Sequence, residues 1–285
     1  MHMLRVALVQ FEARDDVSIN LARAAAMARD AAAGGGGADL VVLPEYVHYR
    51  GTDDGFRVSA ATIPGPTTDP FAAVARETGC WVLAGSHAEV SGDPQRPWNT
   101  SVLFDRSGAI VARYRKLHLF DVAVTDGPSD TESARVTPGD RAVAARMDGT
   151  GLGLSICYDL RFPELYRALA LAGAGILAVP AVFTARTGRD HWEVLLRARA
   201  IENGAYVLAA GACGTGGPGA IPAWGHSMIV DPWGRIVAEA GAGEEIIRAE
   251  LDLDRVAAAR RQIPVLANRR PDALPPTRDV EVFGA

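Results

Sequence analysis

Short, almost wholly apolar runs recur along this chain, separated by longer alanine-rich segments. "LRVALVQ" (4–10), "DLVVLPE" (39–45), "CWVLAGS" (80–86), "GLGLSIC" (151–157) and "AGILAVPAV" (174–182) are short and lack the polar alternation of a half-exposed strand. Such runs fit strands covered on both faces, which is how sheet strands sit in α/β architectures. The segments between them have helical character. "SINLARAAAMARDAAAG" (18–34) reads as a helix with Ser18 as its N-cap and the glycines at 34–37 as its stop. Residues 67–79 read as a helix capped by Thr67 or Thr68, and residues 190–205 as another. Pro163 suits the first turn of a helix following "GLGLSIC".

Two stretches break a purely parallel pattern. "NTSVLFDRSGAIVARYRK" (99–116) and "GHSMIVDPWGRIVAEA" (225–240) read as hairpins turning near Ser107-Gly108 and at Pro232-Trp233-Gly234. "AYVLAAGACG" (205–214) reads as a strand, and "EEIIRAELDLDRVAAARRQ" (244–262) as a strand and a short helix. Each half of the chain thus holds strand–helix–strand units followed by a hairpin. The expected class is α/β, with two packed mixed sheets and helices outside. Residues 117–140 read as a loop, and long loops are often functional. No linker composition divides residues 1–285, so a single domain is expected. Its proline- and charge-rich tail (263–285) is expected to lie across a surface or a neighbouring subunit.

Charge and cysteine usage exclude several functions. The 285 residues carry a formal net charge of −5, which offers no basic surplus for nucleic acid or an anionic membrane. No apolar stretch is long enough to span a bilayer, and "MHMLRVALVQ" lacks the h-region and cleavage site of a signal peptide. A cytoplasmic location is therefore expected. Cys80, Cys157 and Cys213 are too scattered for a disulfide framework and read as free thiols. Without a C-x-x-C pair or an H-E-x-x-H motif, neither a metal nor a cofactor is expected.

Three polar residues close strand-like runs: Glu45, Lys116 and Cys157. Groups at the carboxyl ends of neighbouring strands can converge in one crevice. Together the three make chemical sense. A thiol is nucleophilic once its proton is removed, and a carboxylate can remove it. A lysine ammonium offsets the repulsion between carboxylate and thiolate and can stabilise the oxyanion of a tetrahedral intermediate. The Tyr158 amide, at the start of the helix after Cys157, is a second oxyanion donor. Such a site attacks a carbonyl, forms a thioester, expels an amine and admits water. Each residue alone also has an ordinary reading, as a packed thiol or a solvated charge. His118, His191 and His226 read as structural histidines, Asp159 and Glu164 as caps or first-turn charges, and Arg197 with Glu193 as an i,i+4 pair.

The motifs around the three residues resemble a known family. "VVLPEY", "ARYRKLHLFD" and "SICYDLRFPELYRALA" resemble the glutamate, lysine and cysteine motifs of the nitrilase superfamily of carbon–nitrogen hydrolases. The likeness runs from about residue 4 to about 272 and includes "HWEVLLRARAIENGAYVLAA" and "WGHSMIVDPWGRIVAEAG". It implies a four-layer αββα sandwich, a Glu45-Lys116-Cys157 triad, a second glutamate at Glu132 within "TESARVTPGD", and a homodimer or higher oligomer. Tyr-Asp after the cysteine resembles the amidase branch that includes ω-amidase and deaminated glutathione amidase. A small-molecule amide bearing a carboxylate is then the expected substrate. Arg161 would receive that carboxylate through its planar fork, with Phe183 and Thr187 completing the pocket. The alternative for Arg161 is a local ion pair with Asp159 or Glu164. Competing functions are N-carbamoyl amino acid hydrolysis, nitrile hydrolysis by the same triad, and a non-catalytic scaffold or redox-sensing thiol protein.

Overall fold

A computed structural model describes residues 2–125 and 129–273. Much of the expected tail (274–285) lies outside the described residues. The first half comprises β1 (Met3–Gln10), α1 (Val17–Ala33), β2 (Leu40–Val42), α2 (Asp53–Val58), α3 (Asp69–Thr78), β3 (Trp81–Leu83), β4 (His87–Glu89), β5 (Trp98–Phe104) and β6 (Ile110–Arg115). A short ribbon follows, β7 (Asp121–Ala123) with β8 (Ser129–Thr131). The second half comprises β9 (Val143–Met147), β10 (Thr150–Leu154), α4 (Pro163–Leu171), β11 (Ile176–Ala178), α5 (Ala185–Asn203), β12 (Tyr206–Ala209), β13 (Met228–Val230), β14 (Ile236–Glu239), β15 (Glu245–Asp252) and α6 (Asp254–Gln262).

The strands form two large mixed sheets. One has the order β15-β1-β2-β3-β5-β4, with β6 paired to β5, and the other has the order β14-β13-β12-β11-β10-β9. β15 returns to pair antiparallel with β1 along its whole length, so the last strand among the described residues forms one edge of the first sheet. Side-chain alternation then builds four layers. Leu4, Val6 and Leu8 of β1, with Leu40 and Val42 of β2, join the core shared with the second sheet. Their neighbours Ala7, Val9 and Val41 pack with Leu21, Ala24 and Ala28 of α1 and Phe71 and Val74 of α3. In the second sheet Gly153 lies against Leu169 of α4, where a Cβ would come within 3.0 Å of that side chain. The resulting αββα sandwich explains the continuous apolar runs, because the central strands are buried on both faces.

Several local expectations change. The N-cap of α1 is Asp16, which accepts from the Ile19 amide at 3.0 Å, and Ser18 donates to Asp16 instead of capping. Thr68 occupies the N-cap of α3 but bonds Gly65, not the helix amides. The stretch 117–140 is not wholly irregular, since it holds β7, β8 and a 3-10 turn over Glu132–Ala134. α5 begins at Ala185, earlier than the apolar periodicity suggests. β10 ends at Leu154, so Cys157 opens a 3-10 turn and does not close the strand.

Asp159, read from sequence as a cap, has a larger part in joining the two sheets. Its buried carboxylate accepts from the Ile156 amide (2.8 Å), the Tyr114 hydroxyl of β6 (2.6 Å), and the His118 amide (3.1 Å) and ring Nδ1 (2.7 Å). The turn carrying Cys157 is thereby tied to the hairpin that delivers Lys116. Asp159→Asn replaces one acceptor oxygen by a donor facing donors. It is expected to cost about 2–4 kcal/mol of stability, read as a lower denaturant midpoint, and to lower kcat with it.

Candidate active site

The two sheets each deliver part of one cluster. Glu45 follows β2 and Lys116 follows β6, both in the first sheet, whereas Cys157 follows β10 in the second. The expected convergence occurs, but across facing sheets and not along neighbouring strands of one sheet. The left-handed backbone at Tyr46 (φ 53°) and Cys157 (φ 47°) turns the chain sharply beside Glu45 and at the thiol itself. Such geometry in a non-glycine residue costs on the order of 1 kcal/mol and persists only where the surroundings hold it. At Cys157 the holding bonds are visible: its amide donates to the Pro180 carbonyl at 2.8 Å, and Asp159 fastens the residue before it. Gly85 makes room on the other side, since a Cβ there would sit 1.9 Å from the Pro44 carbonyl oxygen, just before Glu45.

Lys116 is buried with two carboxylates around it. Its Nζ lies 3.0 Å from Glu45 Oε1, and 3.0 and 2.8 Å from Glu132 Oε1 and Oε2. The Glu45 carboxylate is further held by Asn99 Nδ2 on Oε1 (2.9 Å) and by the Val182 amide on Oε2 (2.7 Å). Glu132 accepts from the Tyr46 hydroxyl (2.7 Å) and the Phe120 amide (2.6 Å). Burial alone would lower the lysine pKa. The charges of Glu132 and Glu45 outweigh it and hold the pKa well above the usual lysine value. For Glu132, burial raises and Lys116 lowers, and the net shift is downward. The Cys157 thiol is pushed well up by burial and by the Glu45 charge, with Lys116 opposing. Cys157 therefore rests as a thiol beside the Lys116 ammonium, with a thiolate formed only as its proton leaves.

A cavity of about 270 Å³ opens onto this cluster and is lined by Glu45, Lys116, Glu132 and Cys157. Tyr49, Arg50, Phe56, Arg135 and residues 219–221 line it farther out. A smaller recess adjoins the same thiol, walled by Phe120, Tyr158, Val182, Phe183 and Thr187. Phe183 and Thr187, expected to complete a carboxylate pocket with Arg161, line this recess beside Cys157, and the Thr187 hydroxyl is 2.7 Å from that of Thr184. Arg161 stands behind this wall. Its guanidinium is 5.2 Å from the Phe183 ring centre and 5.9 Å from that of Tyr158, and its terminal nitrogens lie 3.2–3.3 Å from His191 Nδ1. The alternative pairing with Asp159 is not formed, because the bonds to Asp159 come from Ile156, Tyr114 and His118. His118 stacks on Phe162 at 3.7 Å and lines neither cavity, in keeping with its structural reading. The Arg197–Glu193 pair is present at 2.8 Å.

Sequence reasoning missed Asn99, Tyr46 and the Val182 amide. Asn99 sits in a strand where one buried amide carries no periodic signal, and Tyr46 reads as an ordinary aromatic after a strand. The amide of Val182 has no side-chain signature at all. No group of three or more histidine, cysteine, aspartate or glutamate side chains among the described residues could hold a metal ion.

The chain is similar to known proteins along most of its length. The carbon–nitrogen hydrolase family matches residues 5–261. The mouse ω-amidase NIT2 is 37% identical over 272 residues, covering 95% of this chain and 97% of the relative. A Synechocystis deaminated glutathione amidase is 44% identical over 236 residues, covering 82% and 86%. The crystal structure of Saccharomyces cerevisiae Nit3, described as a branch 10 member of the nitrilase superfamily, superposes with a TM-score of 0.84 at 33% identity, covering 94% of this chain and 97% of that one. With a family match over most of its length and a nitrilase-type αββα sandwich, this chain belongs to the carbon–nitrogen hydrolase family.

Proposed function

We propose that the protein is an amidase that hydrolyses a small linear carboxamide to carboxylate and ammonia or amine through a thioester on Cys157. The observation that carries this reading is the buried Glu45–Lys116–Glu132 cluster lining the same cavity as a thiol held at positive φ. The Cys157 sulfur attacks the amide carbonyl while Glu45 takes the thiol proton. Lys116 Nζ and the Tyr158 amide receive the developing oxyanion. Glu45 returns its proton to the leaving nitrogen, and the C–N bond breaks to leave an acyl thioester. Water, deprotonated by Glu45, then attacks the thioester carbonyl, and the carboxylate departs as Cys157 regains its proton. Glu132 is a positioning residue that fixes Lys116 from the side opposite Glu45. A redox-sensing role is disfavoured, because a sensor thiol is exposed and acidic, whereas Cys157 is 6% exposed with its pKa raised.

The amidase relatives and the recess walled by Phe183, Thr187 and Tyr158 support an acyl group that carries its own carboxylate. Arg161, close to two of those rings and paired with no carboxylate among the described residues, is the cation we assign to it. We also read the exposed Leu171 of α4 and Val194 and Ile201 of α5, with Trp233, as the face that meets a second copy of the chain.

Glu45→Gln keeps shape but removes basicity, and is expected to slow acylation about a hundredfold or more in single-turnover measurements. Lys116→Met is expected to add about 3 kcal/mol to the barrier, as for loss of an oxyanion donor. Effects of tenfold or less in both would assign the proton transfer elsewhere. Arg161→Lys keeps the charge but loses the fork. It is expected to raise KM for ω-amido acids far more than for neutral amides of equal length, whereas equal losses would make Arg161 a purely structural residue.

A further inference from the structure

The two oxygens of the Glu45 carboxylate are held differently. Oε1 accepts from Lys116 Nζ (3.0 Å) and from Asn99 Nδ2 (2.9 Å), both delivered by the first sheet. Among the described residues Oε2 accepts from a single nitrogen, the Val182 amide (2.7 Å). Val182 lies two residues beyond Pro180, whose carbonyl takes the Cys157 amide at 2.8 Å. Each carboxylate oxygen has two acceptor positions. Oε1 is therefore saturated from the first sheet, and Oε2 keeps a free position toward the second sheet, which carries the thiol. Asn99 itself is wholly buried in β5 and lines neither cavity. Its Oδ1 has no hydrogen-bond partner among the described residues, so the one polar contact of this side chain is the bond to Glu45. A half-satisfied carboxamide at this depth costs stability, and what it supplies in return is a neutral donor to the base.

These donors decide where Glu45 can carry a proton. A protonated carboxyl oxygen becomes a donor at that position. On Oε1 the new O–H would face Asn99 Nδ2 and Lys116 Nζ, a donor against two donors. On Oε2 the proton takes the free position, and Oε1 keeps both of its bonds. Protonation also loosens the ion pair, because a neutral carboxyl no longer holds the Lys116 ammonium by charge. Lys116 is the group assigned to the oxyanion, so its grip on Glu45 weakens when the carboxyl must stay in place. The Asn99 bond survives that change, since an amide N–H donates to a neutral carbonyl oxygen as well as to a carboxylate.

We infer that Oε2 of Glu45 is the oxygen that takes and returns the proton, and that Asn99 is a positioning residue that holds the protonated carboxyl in place while Lys116 serves the oxyanion. The inference rests on the amidase reading and deepens it. The S–H bond breaks as the S–C and Oε2–H bonds form. The Oε2–H bond then breaks as the leaving nitrogen gains its proton and the C–N bond parts, so Glu45 ends as the carboxylate it began as.

The test turns on the leaving group. An amide nitrogen must be protonated before its bond to carbon breaks, whereas a thiolate leaves without a proton. Glutaramate and the S-methyl thioester of glutaric acid share one acyl group, and the loss of each is followed in single-turnover mixing with the intact protein in excess. Asn99→Ala is expected to slow acylation by the amide about tenfold to a hundredfold, the worth of a hydrogen bond to a charged group, and acylation by the thioester about threefold or less. Half-saturation should stay at the wild-type value for both, because Asn99 lines neither cavity. The ratio of the two rates is taken within one protein, so a general loss of stability does not mimic it. If Asn99→Ala does not fold, Asn99→Ser, whose side chain is too short to reach Glu45, decides by the same ratio. Failure of both variants to fold would assign Asn99 to the fold alone. Equal losses on amide and thioester, or no loss on the amide, would overturn the roles of Asn99 and Oε2 and leave the amidase reading standing. A wild-type protein acylated by neither substrate would overturn both.

Discussion

A buried ammonium held between two buried carboxylates is the interaction on which the rest of this molecule depends. Lys116 could not remain charged at this depth without the carboxylates of Glu45 and Glu132, and Lys116 in turn lowers the Glu132 pKa against the effect of burial. The cluster is also a joint. Glu45 follows a strand of the first sheet, yet its other oxygen accepts from Val182, which follows a strand of the second. Asp159 makes a similar bridge from the opposite direction, reaching Tyr114 and His118 from the turn after Cys157. Removing one partner would leave an uncompensated charge between sheets that the apolar core holds together, so the reactive groups are positioned at the cost of a strictly paired cluster.

The same arrangement sets the character of the thiol. Cys157 is not a preformed thiolate, because burial and the neighbouring Glu45 both disfavour the charged form. In the proposed mechanism its proton leaves during attack, as Lys116 and the Tyr158 amide meet the developing oxyanion, and Glu45 keeps that proton for the leaving nitrogen. The positive φ at Cys157 is part of this design. It lifts the sulfur out of the strand direction, and the Pro180 carbonyl and the Asp159 carboxylate hold it there.

The layer architecture was legible because burial on two faces leaves a plain mark, as in "LRVALVQ" and "AGILAVPAV", where no polar alternation interrupts the run. The hairpins were legible from turn chemistry, and the Asp105 side chain does accept from the Ser107 and Ala109 amides in the first of them. The cap of α1 was misplaced because Asp16 and Ser18 are both good caps two residues apart, and only geometry chooses between them. Glu45, Lys116, Glu132 and Cys157 could be named from motifs, but not their arrangement across two sheets. The burial of Arg50 had no signal, since its guanidinium bonds to the Cys213 and Ile221 carbonyls come from the far half of the chain. Arg161 shows the converse: its sequence neighbours Asp159 and Glu164 suggested an ion pair, whereas the fold spends Asp159 on the sheet junction and leaves the guanidinium against aromatic faces.

The proposed chemistry passes through a covalent intermediate at one sulfur, and intact-mass measurement reads it directly. The protein is mixed briefly with an ω-amido acid, quenched in acid, weighed and digested. The expected result is a gain equal to the acyl group, mapped to Cys157 and removed by hydroxylamine, with no adduct in Cys157→Ala. Steady turnover with no adduct at any quench time, together with near wild-type activity in Cys157→Ala, would contradict the thioester and with it the roles given to Glu45 and Lys116.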